Sequence, residues 1–185
     1  MSDTSLSIGP ARFLRTVFIG LAVTVVLILA VGAARGQGPA AVLGAFLRLN
    51  GHMHAPNLGL LAVAPIQIQL HVAAVFTALA VGTTLMLGVK GNTVHRTLGW
   101  TWVIAMATAA ISSLFIHRAS PGSFSFLHLF AGWTLIALPM GVFAARKHKV
   151  RLHGRTMTGL FVGGLLIAGA FAFLPGRLMW QIVFG

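Results

Sequence analysis

Residues 66–89 read IQIQLHVAAVFTALAVGTTLMLGV, a stretch without one charged side chain. At about twenty apolar residues per crossing, it is long enough to span a bilayer as an α-helix. Gln67, Gln69 and His71 crowd its start, and the rest is aliphatic, aromatic, small or Thr. Pro65 marks either a kink in an apolar run that begins at residue 58 or the true start of the helix. Working outward, four more stretches of this kind follow the same rule: residues 13–33, 94–117, 124–145 and 154–174. Pro139 falls inside the fourth, where neighbouring helices can accommodate a kink.

The breaks between these stretches are short and polar. Lys90-Gly91-Asn92-Thr93 separates the second from the third, and Arg118-Ala119-Ser120-Pro121-Gly122 is a turn before the fourth. Pro175-Gly176-Arg177 ends the fifth, ahead of an amphipathic tail with Trp180 and Phe184. The first stretch follows Arg12 and Arg15 and is read as a retained helix rather than a cleaved signal peptide. The linker over residues 34–56 holds an apolar patch, residues 40–49, too short to span and expected at the interface. The fold expected is all-α, an integral membrane protein of five transmembrane helices with a four-helix bundle core from helices two to five. Residues 1–57 form the amino-terminal tail, first helix and outer linker, and residues 58–185 the bundle.

Composition narrows the chemistry. With 57% hydrophobic and 8% charged residues, lipid is the natural solvent for most of the surface. The chain has no Cys, which removes disulfides, thiolate catalysis, iron–sulfur clusters and Cys-based zinc sites. Asp3 is the only acid, so two-carboxylate hydrolysis, di-iron carboxylate chemistry and carboxylate proton relays are excluded. The net charge of +12 does not indicate nucleic acid, because the basic residues fall between apolar stretches, where they act as topology signals and contacts for anionic headgroups of membrane lipids. Of 13 Lys and Arg, one side of the membrane collects Arg12, Arg15, Lys90, Arg96, Arg146, Lys147, Lys149, Arg151 and Arg155, and the other Arg35, Arg48, Arg118 and Arg177. The positive-inside rule then predicts a cytoplasmic amino terminus and a periplasmic carboxyl terminus in a bacterial inner membrane.

The histidines remain to carry chemistry. His71, His95, His128 and His153 stand near the starts of helices two, three, four and five. Alternate helices run the same way, so His71 pairs in depth with His128 toward the outer face and His95 with His153 toward the inner. Two such imidazole pairs on facing helices suit axial ligation of one b-type haem near each face. Gly99 and Gly132 lie one turn after His95 and His128 and would leave room for a haem edge; Met157 is an alternative axial ligand one turn after His153. Arg96, Arg151 and Arg155 could neutralise propionates, and equally serve as plain positive-inside residues. Each histidine also has a structural reading, as a neutral ring bonded to a backbone carbonyl or hydroxyl. His148 is read as a solvated residue of a basic loop.

A second constellation competes. His52, Met53 and His54 in the linker, with His117, offer imidazole and thioether donors for copper, or imidazoles for zinc, at the outer face. Ser112, Ser113, Ser123, Ser125, Gln67 and Gln69 gather toward the same side as candidate hydrogen-bond partners of histidine or as helix-to-helix glue.

Ile66-Gln67-Ile68-Gln69, Lys90-Gly91, His95-Arg96-Thr97-Leu98-Gly99-Trp100 and His153-Gly154-Arg155-Thr156-Met157 together resemble the bacterial membrane-protein family catalogued as domain of unknown function 2306. The likeness covers roughly the last two-thirds of the chain and implies no activity. More remotely, the alternation of His71, His95, His128 and His153 is similar to the two-haem transmembrane cytochrome b family that draws electrons from ascorbate. That resemblance implies haem ligation by those histidines, although this chain has five helices where that family has six. Three functions follow as expectations: an electron-transfer cytochrome served by a separate donor and a quinone or metal acceptor, a non-enzymatic membrane subunit or assembly factor with structural histidines and protein partner subunits, and an outer-face copper- or zinc-handling protein.

Overall fold

The structure is a computed structural model that describes residues 10–34, 36–41, 44, 55–116, 126–174 and 177–184. It is all-helical over these residues, and five helices are long and apolar enough to cross a membrane. The chain is thus a multi-pass membrane protein whose outward side chains meet lipid. Helix α1 is Pro10–Ala34, α2 a single turn Gly59–Ala62, α3 Ile66–Leu87, α4 Thr93–Leu114 and α5 Phe126–Arg146. The fifth span is composite: α6 is Val150–Leu160, a π-helical segment covers Phe161–Ile167, and α7 is Ala168–Ala172. Helix α8, Leu178–Phe184, closes the described chain.

Local chemistry sets the boundaries. Pro65 is the N-cap of α3, so the proline begins the span rather than kinking it. The Gln69 side chain reaches back to the carbonyls of Ala62 and Ala64, at 3.1 and 2.8 Å, and ties α2 to α3. At the far end, Lys90 Nζ donates to the carbonyls of Leu85, Met86 and Gly88, which the helix end would otherwise leave without partners. Burial pulls this ammonium below the usual lysine value, while the three carbonyls hold its charged form. Gly91 takes φ +84°, and Asn92 then caps α4 by accepting from the His95 main-chain N–H at 2.7 Å.

The α5–α6 connection is tighter still. His148 N–H donates to Ala145 O at 3.0 Å and Lys149 N–H to Ala144 O at 2.9 Å, a Schellman ending with His148 at φ 55° in the position glycine usually takes. Helix α6 therefore starts four residues before the Gly154 expected from the sequence, and His153 lies inside its first turn. The third span, α4, ends at Leu114 rather than residue 117.

Helices α3, α4, α5 and α6 pack in sequential order around a shared core, and the π-helical segment returns to α3. The α3–α4 contact is built from small residues. Ala74, Ala78 and Gly82 recur every fourth residue on α3, facing Ala105, Ala109 and Ala110 of α4. In lipid, where apolar contact with a neighbour displaces equally apolar tails, close backbone approach of this kind drives helix association. Gly82 marks the tightest point: an added Cβ would stand 2.7 Å from Trp102 Nε1 and 2.8 Å from the Phe161 ring. Trp102, Phe161 and Leu160 fill the centre with Met106, Ala137, Leu138 and Leu165.

Sequence hydropathy predicts an unbroken fifth helix, and the π-helical segment is a departure from it. Gly163 and Gly164 lie within this segment and offer no side chain against the wider turn, and Gly164 admits Met106 and Thr134. Helix α1 leans on the same segment, with Phe13 6.5 Å from Phe161 between ring centres and Gly20 seated against Val162. At the other end of the bundle, Asn57 N–H donates to Ile182 O at 3.0 Å, so α8 folds back over the entry to α2.

Two substitutions test this packing by thermal unfolding in detergent. Gly82→Ala is expected to lower stability by about 1–3 kcal/mol, because neither buried ring has free space to retreat into. His148→Gly is expected to raise it by about 1 kcal/mol by relieving the left-handed backbone.

Candidate histidine site

The described histidines divide between two depths. His95 is the third residue of α4, and the Asn92 cap fixes the turn from which its ring projects. His153 is in the first turn of α6, and its Nδ1 lies 2.9 Å from the carbonyl of Gly141 on α5. A carbonyl only accepts, so Nδ1 carries the proton and Nε2 keeps its lone pair. Glycine at 141 leaves that surface of α5 bare, and Met157, one turn after His153, packs against the same spot as part of the core. The two rings meet with centres 6.4 Å apart and planes crossed at 86°. The structure thus brings together His95 and His153 from helices that face each other across the ring of four. Among the described residues, His95 Nδ1 is buried with no hydrogen-bond partner.

At the opposite end, His71 Nδ1 lies 2.9 Å from Ala109 O and 3.3 Å from Ser112 Oγ, both on α4. By the same reasoning Nδ1 carries the proton toward the carbonyl and Nε2 is left with its lone pair. Of the polar residues expected to support histidine, Ser112 does so directly. Ser113 instead donates to Ala110 O, and Gln69 serves the α2–α3 junction. His128, the third residue of α5, is half-buried, and its Nε2 is shielded from solvent. A Cβ added at Gly99 or Gly132 would meet nothing within 4 Å, so the helix surface one turn from His95 and from His128 is open.

Arg96 and Arg155 are exposed beside the inner pair, on the residue after His95 and the second residue after His153. His52, His54 and His117 lie outside the described residues, as do Met53, Ser123 and Ser125. Among the described residues no group of three or more His or acidic side chains gathers as a metal site.

Sequence reading missed three contributors to this site. Asn92 was legible as an N-cap three residues before His95, but only as part of a break. Lys90, which ends α3 beside the site, looked like a plain topology residue. The Gly141 carbonyl had no signal at all, since a backbone acceptor exposed by a missing side chain depends on which helix comes to face it.

No protein-family model, curated protein or solved structure matches the chain.

His153→Leu keeps the volume but removes the bond to α5. It is expected to cost about 1 kcal/mol in thermal unfolding, the scale of an interhelical hydrogen bond in lipid.

Proposed function

We propose that the chain is a b-type haem-binding electron-transfer protein of a bacterial inner membrane, with its amino terminus cytoplasmic and carboxyl terminus periplasmic. The observation that carries this reading is the His95–His153 pair, with ring centres 6.4 Å apart. His95 and His153 would hold the iron of such a group, and their separation is of the order that two imidazoles sharing one metal ion at about 2 Å per metal–nitrogen bond would need. The donor set also fits: the bond from His153 Nδ1 to Gly141 O orients the ring and directs the lone pair to Nε2, as a backbone carbonyl does for a metal-ligating histidine. His71 is prepared in the same way by Ala109, and His128 on α5 is its proposed counterpart. A b-type haem supplies reversible one-electron chemistry at its iron.

The protein's own residues then have distinct tasks. His95 and His153 would hold the inner group, and His71 and His128 would hold the outer one. The open surfaces at Gly99 and Gly132 leave space beside each pair, and Arg96 and Arg155 balance anionic substituents at the basic end. The trans-bundle core of Trp102 and Phe161 keeps water from the path between the two depths. The donor and a quinone, metal or protein acceptor are separate partners. The alternation of His71, His95, His128 and His153, similar to that of the ascorbate-dependent cytochrome b family, motivates this reading.

One observation favours a second reading, a membrane subunit or assembly factor with structural histidines. His71 and His153 each donate to a carbonyl of a neighbouring helix, which by itself fastens the bundle.

The absorption spectrum of the purified protein separates the two. A Soret band with a reducible alpha band is expected, His95→Ala halving the haem content and His128→Ala removing the other half. Colourless protein overturns the cytochrome reading, and an unchanged reduced-minus-oxidised spectrum in His128→Ala removes that residue as a ligand.

A further inference from the structure

The turn between α5 and α6 is a concentrated cationic surface. Arg146, Lys147, Lys149 and Arg151 are all exposed at it. Asp3 is the only acidic side chain in the whole sequence, and it lies outside the described residues. No side-chain carboxylate therefore stands among the described residues to neutralise this charge. Like charges held this close repel unless anions from outside gather on them.

The turn is also ordered by its own backbone. The bonds from His148 to Ala145 and from Lys149 to Ala144 hold the cations on a fixed frame. Apolar side chains are interleaved with them: Val150 is 61% exposed and Leu152 47%, flanking Arg151. Phe143, 57% exposed, continues the lipid-facing surface of α5 to within one turn of Arg146. The Arg146 guanidinium carbon lies 5.9 Å from the ring centre of Trp100, itself half exposed on α4. An exposed Trp under an Arg is the pairing expected at headgroup depth, with the ring toward the acyl chains and the charge toward water.

We propose that this turn is a docking surface for the phosphate headgroup of an anionic phospholipid, engaged by Lys147, Lys149 and Arg151 while Val150 and Leu152 enter the acyl-chain boundary. The interleaved apolar residues decide between partners. A soluble phosphate or a nucleic acid would engage the cations alone and leave Val150 and Leu152 in water, whereas a lipid covers both. The inference does not rest on haem, since it needs only the exposed cations and apolar side chains of this turn.

The test uses the full chain, purified in a non-ionic detergent and titrated with phosphatidylglycerol, with phosphatidylcholine of the same acyl chains, and with inorganic phosphate, with bound lipid read by native mass spectrometry. Phosphatidylglycerol is expected to bind in preference to phosphatidylcholine. K147Q/K149Q/R151Q should weaken it about a hundredfold, at about fivefold for each cation near an anionic headgroup. V150S/L152S, with every charge retained, should weaken it as well. Equal binding of phosphatidylcholine, displacement by inorganic phosphate at matched concentration, or wild-type affinity in the triple variant each overturns the proposal. K149Q alone, at an exposed position, carries the same test with a fivefold effect should the triple variant not fold.

Discussion

Hydrocarbon offers no hydrogen bond, so every polar atom within the bilayer has to find its partner inside the protein. The arrangement of side chains follows from that requirement. Thr24, Thr77, Thr83, Thr84, Thr97 and Thr101 each donate to the carbonyl four residues earlier on their own helix and so place no demand on a neighbour. Histidine has no such local solution at this reach, and His71 and His153 turn instead to carbonyls on a neighbouring helix. Each thereby joins two helices and acquires a defined tautomer. The requirement for satisfaction is what orients the rings.

Among the described residues, Trp102 Nε1 and His95 Nδ1 are buried side-chain nitrogens that escape the rule. Trp102 Nε1 lies against Gly82 in the tightest part of the core, where the packing of ring on backbone leaves no acceptor within reach. His95 Nδ1 is the other, and it belongs to a ring facing a second imidazole across the bundle. The first is explained by packing. The second is the observation that sets this pair apart from histidines serving only to fasten helices, and it lies beside the end of the molecule where cations accumulate. The Lys90 cap, the Asn92 cap and the His148 turn all lie at that end as well, so the pair rests on short, backbone-bonded connections.

Charge is distributed as strictly as polarity. Apolar spans carry the chain through lipid, and basic residues collect around the α3–α4 and α5–α6 connections with no acid among the described residues to meet them. The amphipathic α6 connects these two regimes. Its first turns alternate Val150 and Leu152 with Arg151, and it passes through His153 into the fully buried Leu160 and Phe161. One helix thus runs from the headgroup zone to the centre of the core, past the candidate site.

Much of this was legible before any coordinates. The number of crossings, a break of some kind at Pro65 and the basic ends follow from hydropathy and residue type, which are local sums along the chain. The histidines at helix starts were visible for the same reason, and alternation of helix direction placed His95 level with His153. Only the tertiary structure decided that these two rings meet, that Gly141 and Ala109 supply the carbonyls that fix His153 and His71, and that the fifth span widens into a π-helical turn around Phe161. Depth in the membrane is written in chain position, whereas rotation of each helix about its axis is settled by how Ala78, Gly82, Trp102 and Phe161 close on one another, and contact between side chains depends on that rotation.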